Sequence, residues 1–290
     1  MILLILCAGS ADKAFSGPKS RRPLRTRGKR QAQKMGAWLG KHRLAPDLVM
    51  TSSDLRSKVT AQKALKAAGW TARDIKEGKE LSAGCLPKLS GGGTKLLVLP
   101  GKSAEVLLKK LDFDPEVAPG VLYHLADRSG KICLIERIDP QDLPGLFPYP
   151  APDGRELRER PAYYYTQSAV IPYRRVGGET EILIVGSSSG RHWVVPKGIV
   201  EPGLDPAASA EVEAREEAGI KGKVGEKPLG TFAYEKWGAV CQVSVYAMEV
   251  TDVIPDETWE ERHRCRKWVP AASAGQILHQ PAFSPMISEI

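Results

Sequence analysis

A chain of 290 residues with a net charge of +8 is long enough for one large domain or two ordinary ones, each with its own core. Its 42% hydrophobic and 26% charged residues exclude an intrinsically disordered chain. Five cysteines, odd in number, widely spaced and without a CxxC pair, argue against a disulfide framework and a zinc site and fit a reducing cytoplasm.

The charge is unevenly spread. Residues 1–147 hold 26 Lys and Arg against 14 Asp and Glu, an excess of +12, whereas residues 148–290 hold 16 against 20, or −4. A basic first half suits polyanions such as nucleotides, polyphosphate or nucleic acid, although a solvated basic surface gives the same count. No nucleic-acid-binding motif accompanies it.

The opening MILLILCAGS is apolar but too short to span a membrane, and it lacks the basic flank of a signal peptide. Ile2–Leu6 is therefore expected to be a buried parallel strand, and no transmembrane segment is expected anywhere. Arg27–His42 has helical periodicity, with Ala32, Met35, Trp38 and Leu39 on or near one face. Leu48–Met50 reads as a strand, Ser57–Ala68 as a helix, Lys95–Leu99 as a strand and Ser103–Leu111 as a helix. Val121–Leu125 and Ile132–Ile138 read as a hairpin turning at Asp127–Gly130. This alternation predicts an α/β domain over 1–147 with a mainly parallel sheet covered by helices.

Pro144–Pro161 holds five prolines and a charge run, which suits an ordered linker, centred on 148–160. Over 161–290 the pattern changes. Strands are expected at Tyr163–Arg174, Glu181–Gly186 and Trp193–Val195, then one prominent helix, then strands at Thr231–Lys236, Val240–Val250 and Trp268–Pro270. That is an α+β domain with a mixed sheet between helices.

The prominent helix is the informative segment. In GIVEPGLDPAASAEVEAREEAGI (Gly198–Ile220), Asp205 is a good N-cap, Pro206 fits the first helical position and Gly219 supplies the stop. The helix should run Pro206–Ala218. Glu213, Glu216 and Glu217 then stand at i, i+3 and i+4 on one face. Like charges so placed repel, and a divalent cation would reverse the sign. Oxygen-only ligands favour magnesium, with manganese as a substitute. An exposed Glu-rich helix has the same pattern.

The flanks distinguish the two. The segment resembles the Nudix box, with Gly198, Glu213, Ala214, Glu216, Glu217, Gly219 and Ile220 in register. The resemblance implies that Glu213, Glu216 and Glu217 hold the metal, and that one of them or a carboxylate outside the box activates water. Glu257, Glu260 and Glu261 are candidates for that outside carboxylate on position alone. Two positions depart from the pattern: the family's first glutamate is Leu204 here and its arginine is Val212. These normally form a bracing ion pair, so the apolar pair is expected to brace the loop hydrophobically.

Arg191-His192-Trp193-Val194-Val195-Pro196-Lys197-Gly198 resembles the W-x-x-P-K-G entry of the diadenosine-polyphosphate and diphosphoinositol-polyphosphate hydrolase branch, as do Phe232–Lys236 and Trp259…Arg264…Trp268. Arg191, Lys197 and Lys236 are the candidate cations for substrate phosphates. Tyr164, Tyr234, Trp237 and Trp259 are available for base stacking, though core packing accounts for most such aromatics.

Arg22–Gly28 with Gln31 and Ala32, and Ser52–Ala61 with Arg56, resemble a histidine phosphatase of the small phosphohistidine type. That family's catalytic histidines are missing: the first strand ends Leu6-Cys7-Ala8, and the later place reads Leu99-Pro100. Arg22, Arg25 and Arg56 remain as a candidate vestigial phosphate pocket, in a domain that is also a candidate for homodimerisation.

The resulting expectation is a cytoplasmic, magnesium-dependent pyrophosphohydrolase acting on dinucleoside polyphosphates or related nucleotide or polyphosphate substrates. The alternatives are a hydrolase that cleanses nucleoside triphosphates such as oxidised dGTP, and a non-catalytic nucleotide or polyphosphate sensor.

Overall fold

Leucine and isoleucine at every position from Ile2 to Leu6 can be buried only if both faces of the strand are covered, and both are. In a computed structural model that describes residues 1–70, 74–89 and 91–290, the chain divides into the units Met1–Ala162 and Tyr163–Ile290.

In the first unit, β1 (Ile2–Cys7) is followed by α1 (Thr26–Lys41), β2 (Leu48–Thr51), α2 (Leu55–Ala67), β3 (Ile75–Glu77), α3 (Lys79–Ser82), β4 (Thr94–Leu99), α4 (Gly101–Lys110), β5 (Leu122–Arg128) and β6 (Lys131–Ile138). The sheet order is β3-β2-β4-β1-β5-β6. The β1, β2, β3 and β4 pairings are parallel, and β5 and β6 close the edge antiparallel.

Alternation along β1 and β4 sorts side chains to opposite faces. Leu4, Leu6, Leu96 and Val98 pack with Met35 and Leu39 of α1 and Ala61 and Leu65 of α2. Leu3, Ile5, Cys7, Leu97 and Leu99 pack with Leu81 of α3 and Leu107 and Leu108 of α4.

The proline-rich stretch is not a linker. Phe147–Tyr149 (β7) pairs antiparallel with Glu156–Arg158 (β8), and both belong to the first unit. Prolines supply no N–H, but the carbonyls around them still need donors. Arg30 of α1 donates to the carbonyls of Gly145 and Glu159, and its guanidinium lies 4.3 Å from the Phe147 ring centroid. Lys34 Nζ donates to the carbonyls of Pro140 (3.1 Å) and Leu143 (2.8 Å). Two cations on one helix face thus fasten the segment, and Phe147 is buried.

The second unit contains β9 (Thr166–Val176), β10 (Glu179–Gly186), β11 (Trp193–Val194), β12 (Lys197–Ile199), α5 (Pro206–Ala218), β13 (Ile220–Val224), β14 (Gly230–Lys236), β15 (Ala239–Val253), β16 (Arg266–Pro270), α6 (Ala271–Ile277) and α7 (Phe283–Ile287). The sheet is mixed. Its main path runs β11-β10-β9-β15-β13, with β12 on β9, β14 on β15 and β16 on β10; β9 and β15 are parallel.

Helices cover both faces. Ala169, Ile171, Ile182, Ile184, Val243 and Val245 pack against Ala274, Phe283, Met286 and Ile287 of α6 and α7. Val170, Leu183, Val185, Tyr246 and Met248 pack against Ala210, Ala214 and Ala218 of α5. The three alanines form the flat stripe on which α5 lies, so its glutamates turn toward the edge strand β12. Among the described residues no helix is long and apolar enough to cross a membrane.

Candidate active site

The helix α5 begins and ends where its capping residues require. Asp205 accepts a hydrogen bond from the Ala208 N–H at 2.9 Å, Pro206 opens the first turn, and Gly219 closes the helix at φ 61°. Beyond the stop, Arg266 Nη1 donates to the carbonyls of Ala218 (2.8 Å) and Gly219 (2.9 Å), and Trp259 Nε1 donates to the Glu216 carbonyl (2.9 Å). These bonds satisfy carbonyls left without a helical partner.

The caps fix which way Glu213, Glu216 and Glu217 face, and all three are half-buried. Glu213 lies over Gly198 of β12 so closely that a Cβ on Gly198 would fall 2.0 Å from its carboxyl carbon. Only glycine leaves room for the carboxylate there. Burial first, and then Glu217, Glu216, Glu201 and Glu261, push the Glu213 carboxyl up to about 7. Glu216 is raised by burial and then by Glu260, Glu261 and Glu201, against the lowering effect of Arg215.

Glu217 is held differently. One oxygen accepts the Lys197 backbone N–H at 2.9 Å and the other accepts Arg264 Nη2 at 2.7 Å. Burial raises its carboxyl, while the bond from Lys197 and the charge of Arg264 oppose that rise.

Of the outside carboxylates, Glu260 and Glu261 raise the trio's proton affinity, whereas Glu257 is exposed. Glu201, in the loop before α5, also raises Glu213 and Glu216, and sequence spacing did not single it out.

The expected hydrophobic brace is not a buried contact. Val212 is 37% exposed, and neither it nor Leu204 belongs to an apolar cluster. Ser209 ties the loop to the helix instead: its hydroxyl accepts the Glu201 N–H at 3.0 Å.

The candidate phosphate cations are dispersed. Lys197 reaches inward, donating to Gln167 Oε1 and Tyr234 Oη, each at 2.8 Å, while Tyr234 also donates to Gln167 Oε1 at 2.8 Å. Burial lowers the Lys197 ammonium from its ordinary value, with Glu217 opposing. Lys236 is exposed at the β14–β15 turn, 4.4 Å from the Trp237 ring centroid. Arg191 is exposed and bonded to Ser189 Oγ at 3.4 Å. Trp259 is buried against the end of α5, and Tyr164 and Trp237 pack edge to face at 5.2 Å.

Among the described residues, no group of three or more His, Cys, Asp or Glu stands ready to hold a metal ion. The donor set nonetheless fits a hard divalent cation. It offers only carboxylate oxygens, and after burial Glu217, Glu216, Glu201 and Glu261 all raise the proton affinity of Glu213. Magnesium keeps several waters and needs only one or two carboxylates.

In the first unit, Arg22 and Arg56 meet in a cavity of about 420 Å³ with Lys19, Lys102 and Asp54, at the start of α4. The buried Nε atoms of Arg22 and Arg56 have no hydrogen-bond partner. Arg25 is exposed and outside this lining. Cys7 is fully buried, and burial pushes its thiol up to about 12, against the weaker effect of Arg137.

The family model described as NUDIX domain matches residues 165–289. Diphosphoinositol polyphosphate phosphohydrolase 2 of Rattus norvegicus is 36% identical over 118 residues, which are 39% of this chain and 63% of that protein. The chain therefore spans less than two thirds of that relative's length. Diphosphoinositol polyphosphate phosphohydrolase 3-beta of Bos taurus is 34% identical over 118 residues, 39% of this chain and 70% of that protein. The structure of the protein histidine phosphatase SixA complexed with tungstate is similar over 49% of this chain and 99% of that one, at 19% identity and a TM-score of 0.43.

Proposed function

Because the chain belongs, through residues 165–289, to the Nudix family, we propose that its second unit is a metal-dependent hydrolase of phosphoanhydride bonds. The substrates are dinucleoside polyphosphates, inositol pyrophosphates or related polyphosphorylated molecules. The observation that carries this reading is the crowding of Glu217 and Glu216 on Glu213, whose carboxylate lies over Gly198 and is driven to about 7 by burial and then by their repulsion. Such a concentration of negative potential destabilises the metal-free site and is relieved by a cation.

Glu213, Glu216 and Glu217 would hold magnesium, or manganese in its place. That ion would supply positive charge against phosphate oxygens and make water a better nucleophile. A carboxylate of the cluster accepts the proton as water attacks phosphorus in line, opening the anhydride into two phosphate products. The Lys197 N–H orients Glu217, and Gly198 leaves the Glu213 carboxylate its place. Lys236 and Arg191 remain the candidate cations for the outer phosphates, since both side chains reach solvent.

The test is a substrate panel of diadenosine polyphosphates, nucleoside triphosphates including oxidised dGTP, and inositol pyrophosphates, each with and without magnesium. Turnover should require the metal and fall by about 10²-fold or more in Glu217→Gln. The preferred substrate separates polyphosphate hydrolysis from triphosphate cleansing. Binding without turnover in the wild type would establish a sensor instead.

A separate observation favours a second site in the first unit, which binds phosphoryl groups without cleaving them. The buried Nε atoms of Arg22 and Arg56 have no acceptor, and the cavity beside them carries Lys19 and Lys102 against one carboxylate, Asp54, which lies 3.9 Å from Arg56 Nη2. The Cys7 thiol is held neutral and buried, and Pro100 has no nucleophilic atom, so no attacking group stands where the histidine-phosphatase resemblance requires one. Calorimetric titration of the wild type with pyrophosphate should show a site that Arg22→Ala and Arg56→Ala abolish and Arg25→Ala leaves unchanged. An affinity that is equal in all four proteins would remove the pocket.

A further inference from the structure

Arg264 stands where a cation would be expected. Its Nη2 lies 2.7 Å from Glu217 Oε1, in an ion pair whose side chains are only 10% and 15% exposed. The same guanidinium is also ion-paired with Glu261, its Nε 2.5 Å from Glu261 Oε2 but not aligned for a hydrogen bond. With Lys197 N–H on the other oxygen, both oxygens of Glu217 are taken by donors of this chain.

The backbone is shaped to hold the arginine there. The next residue, Cys265, has φ 51° and ψ 150°, a conformation almost confined to glycine. Its carbonyl accepts the Gly186 N–H at 3.1 Å. Gly186 in turn lets the segment approach, since a Cβ there would fall 2.2 Å from the Arg264 carbonyl oxygen. A strained residue and a glycine on a neighbouring strand thus fix the position of one side chain.

We propose that Arg264 is an internal counter-ion that competes with the divalent metal for Glu217, so that metal loading requires the arginine to release that carboxylate. This rests on the metal-dependent reading above and adds a positioning residue to it. The Arg264–Glu217 pair keeps the empty site folded despite its crowded carboxylates, at the expense of metal affinity.

The measurement is Mn²⁺ affinity of the full-length, substrate-free protein, from the electron paramagnetic resonance of free Mn²⁺, with circular dichroism as a check of fold. Arg264→Gln should bind Mn²⁺ about fivefold or more tightly than wild type, as expected when a partly buried ion pair is removed. Arg262→Gln, which removes the same charge from the same turn, should change affinity less than about twofold. Gly186→Ala alters no charge but pushes on the Arg264 backbone, and should also tighten binding. It is the deciding variant if Arg264→Gln does not fold.

Equal effects of Arg262→Gln and Arg264→Gln would mean that general electrostatics, not competition, sets affinity. Unchanged or weaker binding in Arg264→Gln and Gly186→Ala overturns the competition while the metal site stands. Absence of Mn²⁺ binding in every protein overturns the competition and the metal-dependent reading together.

Discussion

Glu213 shows what the site demands of a single side chain. In the metal-free protein its carboxyl lies near 7 against an ordinary 4.5, so folding favours the protonated form. Below about 4.5 the group is protonated in folded and unfolded chains alike and costs nothing. Between about 4.5 and about 7 the unfolded chain ionises while the folded one stays protonated, so stability falls across that window and levels off above it, where the folded chain must bury the charge. Glu213→Gln removes that cost. In EDTA the variant should melt above wild type near pH 8 and level with it near pH 4, by scanning calorimetry. A wild type as heat-stable as the variant at the higher pH would mean that the carboxylate is well solvated. The three glutamates were legible in the sequence because their relation is local, set by one helical turn. Their partners were not: Glu217 meets Lys197 across 20 residues and Arg264 across 47, and Lys197 meets Gln167 and Tyr234 across 30 and 37. Those pairings follow from strand order. The inward turn of Lys197 is likewise a tertiary outcome, since the sequence offers it only as a candidate cation for substrate phosphates, and its partners Gln167 and Tyr234 lie on other strands.

At the scale of the element, α5 is the best-specified part of the chain, with the same bounds in sequence and structure, Pro206–Ala218. Cap, proline and glycine each act within a few residues, so the ends are set locally. Remote residues then brace the stop. Gly219 sits at φ 61°, and a Cβ there would fall 2.7 Å from both Arg266 Nη1 and Trp259 Cγ. Gly219→Ala should therefore lose about 1–3 kcal/mol in urea denaturation, from left-handed strain plus the collision. Asp205→Ala, which loses only the Ala208 cap bond, should lose about 1 kcal/mol. If the glycine variant loses no more than the cap variant, Arg266 and Trp259 yield freely and do not clamp the helix. Short elements were the hardest to foresee. Lys197–Ile199, Ile75–Glu77 and Lys79–Ser82 have too few residues to display a period, and α6 and α7 are brief helices defined by burial on the sheet rather than by a long apolar stripe.

For the whole molecule, composition correctly announced a change of architecture but misplaced the boundary. Prolines between Pro144 and Pro161 break regular structure, and a broken stretch between two patterned halves reads as a connector. The chain instead uses Arg30 and Lys34 to satisfy the carbonyls of that stretch and buries Phe147 at 1% exposure, so the first unit ends at Ala162. The difference can be measured on fragments. A fragment cut after residue 147 keeps Phe147 but loses its strand partner Arg158 and the Glu159 carbonyl that Arg30 engages. It should be less stable than a fragment of residues 1–162 by about 1.5–3 kcal/mol, the range for exposing one large apolar side chain. Residues 163–290 carry both helix layers over their sheet and every carboxylate of the candidate site. That fragment should keep metal-dependent turnover, with any loss appearing in KM, because the +12 excess of charge that attracts polyanions lies in residues 1–147. Equal melting of the two first-unit fragments would restore the connector reading. Loss of kcat in a folded fragment of 163–290 would instead mean that the basic half takes part in the chemical step.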